Sequence, residues 1–229
     1  LFLELHAKSY EYAVREAEIK IESFLGFLSF AENVYYTRLF PFESNGRYNE
    51  IFYDEFVLLE KNRIAWPKKD MLSKLCQSTR KMIKFKRLSM LISIYKEIQE
   101  TESQYILNLL KKLFSFYFSA SSEDTINFSF LKFWITSETI IKGGGKGRDD
   151  SEVKSIMQSV IDDEILQKRI DFLHKKRDHL VHKGQPVTAD ERDLIKLITD
   201  ALIVKTLLAM SKLNNKKEFI KFISNGMKI

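Results

Sequence analysis

Apolar residues return at three- and four-residue intervals through most of this chain, and the residues that interrupt helices are scarce: three prolines and eight glycines in 229 positions. That spacing puts side chains on one face of an α-helix, where they must bury against a neighbour. A turn-rich β-sandwich uses far more Gly and Pro. The expected fold class is therefore all-α. A hydrophobic content of 45% supplies a real core without covalent staples. We expect a single helical domain over residues 1–229, with N-terminal helices plus an insertion in 1–99 and a bundle in 100–229.

A first amphipathic helix is expected from His6 to about Ala31, with Tyr10, Val14, Ala17, Ile21, Phe24 and Leu28 on its apolar side. Residues 32–67 break the pattern with Pro41, Asn45-Gly46, Pro67 and aromatic-rich runs. Asn-Gly between such runs permits a hairpin, and Pro41 would confine its strand to an edge. An irregular insertion with room for short strands is expected there. Helix resumes near Lys69 and continues to about Gln99. Thr101 and Gln104 have capping-box spacing ahead of a third helix to about Phe118. A fourth runs from near Asp124 to Gly143-Gly144-Gly145 and carries Phe130, Trp134 and Glu138. Asp150 or Ser151 opens a short helix, and Asp162 opens a longer one through His182, stopped by Gly184 with Pro186 beyond. Thr188 and Glu191 form a capping box for a helix reaching about Lys212, and Lys216 to Ile223 is a last short helix.

The formal charge is +6, and its distribution matters more than its size. Between Lys68 and Arg87 there are eight Lys or Arg opposed only by Asp70. Such a stretch attracts polyanions, although a solvated helix face has the same composition. Lys74, Lys81 and Lys84 share one side of the expected helix. The single cysteine, Cys76, forbids an intrachain disulfide, and no apolar run approaches the ~18 residues needed to span a bilayer. A cytoplasmic protein without membrane contact is expected. Because the chain opens on Leu1 rather than Met, it is expected to be an excised or processed piece of a longer protein, with a partner domain or a targeting signal both left open as what precedes it.

One short stretch carries chemistry: Arg177-Asp178-His179-Leu180-Val181-His182, closed by Lys183-Gly184. An arginine can hold a phosphate and a histidine can move a proton at neutral pH. Five helical positions turn about 500° and rise about 7.5 Å, so Arg177 and His182 do not share a face of one ideal helix. Unwinding toward Gly184, or apposition of two copies about a two-fold axis, would bring them to one ligand. Asp178 stands one turn from both His174 and His182 and can orient a histidine. Arg169 and His174 repeat the same spacing mid-helix, where packing or surface position explains them.

On these residues, together with the long first helix, the Trp134-to-Ile141 helix bearing Glu138, and Thr188 to Glu191 opening the helix after the motif, the chain resembles the HEPN superfamily. It is most like the ApeA-like group of prokaryotic antiphage systems, over roughly residues 100–212. The resemblance implies an antiparallel helical bundle and a metal-independent endoribonuclease that works as a homodimer, with Arg and His of both protomers lining one cleft. Arg177 would hold the scissile phosphate, His182 would serve as general base or acid, and Asp178 would position them. His179 and Glu138 are auxiliary candidates. RNA would be held by Lys74, Lys81, Lys84, Arg87 and Lys183. Attack by the ribose 2′-hydroxyl would leave a 2′,3′-cyclic phosphate, in the service of antiphage defence or a toxin–antitoxin pair. One subgroup carries a modifiable Tyr two places after the histidine; here Gly184 stands there, so control of that kind is not expected.

No cofactor and no metal are expected. Lys146 in the glycine-rich run is followed by Gly147 rather than the Ser or Thr that a phosphate loop uses to reach magnesium. The four histidines form no compact ligand set and there is no Cys pair. Two other classes stay open: a noncatalytic module of the same type that dimerises and binds RNA or a partner, and a helical adaptor with no nucleic-acid role.

Overall fold

The structure, a computed structural model, describes residues 8–39, 58–60, 63–66, 85–143, 149–160 and 164–227. The fold is all-α, and among the described residues the β-structure is one short hairpin. Its elements are α1 (Tyr10–Leu39), β1 (Leu58–Glu60), β2 (Arg63–Trp66), α2 (Phe85–Gln99), α3 (Gln104–Ser121), α4 (Ile126–Ile141), α5 (Asp150–Val160), α6 (Glu164–Lys183), α7 (Ala189–Ala209) and α8 (Lys216–Ser224).

The core is organised around α3, whose Ile106, Leu110, Leu113, Phe114 and Tyr117 are fully buried. α1 lies along one side of α3 and α4 along another, while α7 packs on α4. Aromatic rings run continuously through these layers. Phe27 of α1 meets Phe114 edge-on at 5.5 Å, Phe30 meets Tyr117 at 5.4 Å, and Tyr117 meets Phe133 of α4 at 5.5 Å. Offset and edge-on pairs of this kind add to the burial of large apolar surfaces. The close approach of α1 to α3 depends on Gly26, where an added Cβ would fall 1.8 Å from the Phe114 carbonyl oxygen. No side chain fits there without moving a helix.

The helix ends show where local chemistry was read well and where it was not. Thr188 accepts from the Glu191 N–H at 3.3 Å while its own N–H donates to Glu191 Oε2 at 2.8 Å, which is the expected capping box. Gly184 closes α6 at φ +64, in the left-handed region that glycine enters without strain, and its N–H donates to the Leu180 carbonyl. α7 ends at Ala209, and the stretch to Lys212 is a 3-10 turn. The box expected at Thr101 and Gln104 is replaced by a cap two residues on: Ser103 accepts from the Ile106 N–H, and Gln104 instead donates to Asn108. Ser103 is the residue whose hydroxyl reaches an orphan N–H of the first turn, so it sets the start of α3.

One expectation changes in the N-terminal third, one is met, and two fall on residues the structure does not describe. α1 continues past Ala31 to Leu39, because no Pro or Gly intervenes before Pro41. The hairpin is antiparallel β1–β2, pairing Leu58 with Trp66, Leu59 with Ile64 and Glu60 with Arg63, with an irregularity between Leu58 and Leu59. Asn45-Gly46, where a hairpin was permitted, lies outside the described residues, as does the stretch from Lys69 to Lys84 that was expected to extend α2.

Candidate functional site

The motif occupies the last two turns of α6, and three neighbours fix that end of the helix. Ile170 and Leu173 are fully buried and seat α6 on the core. Lys176 Nζ lies 2.9 Å from Glu191 Oε1, so the residue that caps α7 also holds α6. The connection after Gly184 is tied down by the Val187 N–H, which donates to Asn127 Oδ1 of α4 at 3.0 Å. A short connection between two capped helices, bonded to a third, leaves the motif little freedom.

Arg177 is half-buried and is surrounded by three carboxylates. It donates to Asp178 Oδ1 at 2.8 Å, and its two terminal nitrogens stand 3.7 Å from Glu138 Oε1 of α4 and 3.7 Å from Asp150 Oδ2 of α5. Burial by itself would pull the guanidinium down, but the hydrogen bond to Asp178 and the charges of Glu138, Asp150 and Asp178 push it above its ordinary value. Glu138 is itself held from two sides: Trp134 Nε1 donates to Oε1 at 2.7 Å, and Lys142 Nζ lies 3.2 Å from Oε2. The arginine therefore projects from a fixed frame contributed by α4, α5 and α6.

Asp178 is held below the usual carboxylate range by its hydrogen bond from Arg177, with the nearby His174, Arg177 and His182 adding to the effect. Its second oxygen is 3.5 Å from His174 Nδ1. Of the two histidines one turn away, His174 is the one in contact; it also packs edge-on against Trp134 at 5.7 Å. His182 is exposed and lies within electrostatic reach of Asp178. His179 is half-buried and Lys183 is exposed on the same turn. Thus Arg177, Asp178 and Glu138 form one cluster, and His182 stands at its solvent edge.

Of the proposed RNA contacts outside α6, Lys74, Lys81 and Lys84 lie outside the described residues. Arg87 is described, and its Nε pairs with Glu32 Oε1 of α1 at 2.8 Å. Among the described residues no group of three or more His, Cys, Asp and Glu side chains is arranged to hold a metal ion.

Sequence reasoning placed His174 one turn from Asp178 but passed over Trp134, Lys142 and Asp150 as parts of this cluster. Trp134 and Glu138 are four apart on α4, as are His174 and Asp178 on α6, and helical neighbours at that spacing meet. The signal existed for those two pairs. Nothing local links Asp150 to Arg177, which are brought together only by the packing of α5 on α6.

A second polar cluster lies in the core and was not expected. Lys196 and Asp200 of α7 are buried and joined at 2.6 Å, and Tyr117 of α3 donates to the other Asp200 oxygen at 2.8 Å. Thr199 and Ser137 share a hydrogen bond at 2.8 Å beside them. Burial pushes the Asp200 carboxyl up, opposed by Lys196 and Tyr117. The cluster is fully enclosed, so it holds α3, α4 and α7 together and offers no access to a substrate.

No described helix is long and apolar enough to cross a membrane. No protein-family model, no curated protein and no solved structure matches the chain.

Proposed function

We propose that the chain is a metal-independent endoribonuclease of the HEPN type, acting as an effector of antiphage defence or as a toxin. One observation carries the proposal: Arg177 and Asp178 stand in a rigid frame at the end of α6, with the exposed imidazole of His182 one turn from Asp178. An arginine fixed by surrounding groups suits a phosphodiester oxygen, because its planar fork keeps its charge at any relevant pH. An exposed histidine suits proton transfer at the ribose.

In the proposed reaction the 2′-oxygen attacks phosphorus as a general base takes its proton. The bond to the 5′-oxygen breaks, and that oxygen receives a proton from a general acid. The products are a 2′,3′-cyclic phosphate and a 5′-hydroxyl. His182 takes the acid–base role, Arg177 neutralises charge that builds on the phosphoryl oxygens, and Asp178 positions Arg177. Pairing of two protomers would supply the second acid–base group.

One observation favours the noncatalytic alternative. Arg177 is already engaged by Asp178, Glu138 and Asp150, so a phosphate must compete with three carboxylates for it. A module that only dimerises and binds RNA or a partner would retain such a closed cluster. The two are separated by incubating the protein with labelled structured RNA in EDTA and analysing the ends. Cyclic phosphate ends from wild type, absent with Arg177→Ala, support the enzyme; RNA retention without cleavage supports the module.

A further inference from the structure

The charges of α6 divide around its circumference. At about 100° per residue, Glu164, Asp171 and Asp178 fall in one strip of roughly 40°. Two of these acids are turned to account within the molecule: Asp171 pairs with Lys154 of α5 at 3.0 Å, and Asp178 with Arg177 at 2.8 Å. Glu164 lies in the first turn, where it complements the helix dipole. Beside that strip, Lys168, Lys175, His179 and Lys183 fall in an arc of roughly 80° that also contains Phe172, with Arg169 next to it. Lys168, Arg169, Lys175 and Lys183 are exposed, and among the described residues no carboxylate holds any of them. Lys176, the cation on the flank, is drawn toward Glu191 and sits over the Phe172 ring at 5.3 Å.

We infer that this face of α6 is a docking track for a single RNA strand, leading along about 22 Å of helix from Lys168 to Lys183 and ending beside His182. The inference rests on the proposed ribonuclease reading for its choice of RNA, and it places the strand on α6 rather than on the Lys68 to Arg87 stretch. Three features select the occupant. The cations repeat every seven or eight residues in one line, which matches a partner with a repeating negative charge and not a compact acidic site. Phe172 is 38% exposed in the middle of the line with Lys176 over its ring, so aromatic surface and a cation stand together where a base and its phosphate would lie. Among the described side chains of α6, Ile170 and Leu173 are buried in the core, and the exposed Phe172 and Val181 stand on opposite sides of the helix, so they form no continuous apolar face to lay into a bilayer surface.

The track is tested by fluorescence anisotropy with a fluorescein-labelled 2′-O-methyl oligouridylate, which lacks the attacking hydroxyl and reports binding alone. Wild type should bind with affinity that falls as salt rises. Lys168→Gln/Lys175→Gln should weaken binding and flatten the log–log salt slope by about 1.4, from about 0.7 for each phosphate contact on a single strand. Lys183→Gln alone should flatten it by about half as much. Lys216→Gln/Lys217→Gln on α8, equally exposed, should leave the slope unchanged. Absence of salt-dependent binding by wild type, or equal flattening by the α6 and α8 pairs, overturns the track. So does wild-type binding to phosphatidylserine vesicles as tight as to the oligonucleotide and lost in the α6 pair. Failure of the nuclease reading is seen separately, as intact salt-dependent binding of RNA that wild type never cleaves.

Discussion

The end of α6 and the middle of α7 are built from the same kinds of residue and serve opposite ends. Each joins a cation to a carboxylate: Arg177 to Asp178 at 2.8 Å on α6, Lys196 to Asp200 at 2.6 Å on α7. What differs is water. Asp178 is partly exposed and its carboxyl is held low by the hydrogen bond from Arg177, whereas Asp200 is enclosed and its carboxyl is pushed up by burial. A charge pair at the surface can exchange a partner for a ligand at modest cost, while a buried pair is fixed because separation leaves an uncompensated charge. The comparison teaches that burial, not residue type, separates a candidate site from a structural tie.

The comparison breaks most visibly at Asp200. Asp200→Ala strips the buried Lys196 ammonium of its carboxylate and should cost about 3–5 kcal/mol in urea unfolding, enough to unfold a marginal domain. Replacing the whole group, as Lys196→Met/Asp200→Leu/Tyr117→Phe, should recover most of that loss, since apolar side chains of similar volume need no partner. At the other region the effects shift from stability to rate. On the proposed ribonuclease reading, Arg177→Ala should lower RNA cleavage by roughly 10²–10³-fold, the scale of a lost charge-stabilising group. It should also cost about 1–2 kcal/mol of stability as Glu138 and Asp178 lose their shared cation.

Much of the α6 end was legible because its signals are local. Gly184 follows the last periodic residue, Thr188 and Glu191 have capping-box spacing, and the structure uses all three as written. The all-α class followed from periodicity and the scarcity of Gly and Pro. The α7 cluster was not legible, since a Lys and an Asp at four-residue spacing have the pattern of any exposed helical ion pair and carry no signal of burial. Only the packing of α3 against α4 and α7 puts them in the core. Gly26 was silent for the same reason: its need for a missing side chain comes from the Phe114 backbone on another helix. The Ser103 cap was missed because Thr101 offered a competing local pattern two residues earlier.

Smaller effects sharpen the contrast. Gly184→Ala meets no atom within 4 Å, so its cost is the left-handed backbone alone, about 1–2 kcal/mol by chemical denaturation. The pH dependence should carry opposite signs in the two regions. Asp178 is lower in the folded protein than when unfolded, so its contribution is present above the ordinary carboxylate value near 4 and is lost as pH falls through its folded value. Asp178→Asn should therefore shallow the acid limb of stability against pH. Asp200 is raised by burial, so its contribution is fullest below the ordinary carboxylate value and declines as pH rises toward its folded value. Unfolding of each Asn variant across the acid range distinguishes the two signs.

The most direct measurement pairs rate with stability in His182→Ala. His182 is exposed and makes no hydrogen bond among the described residues, so its loss should change unfolding free energy by less than about 0.5 kcal/mol. If the end of α6 is the site of chemistry, RNA cleavage in EDTA should fall by about 10²–10⁴-fold in the same preparation. Cleavage at the wild-type rate, or an activity loss matched by an equal loss of stability, would contradict the account.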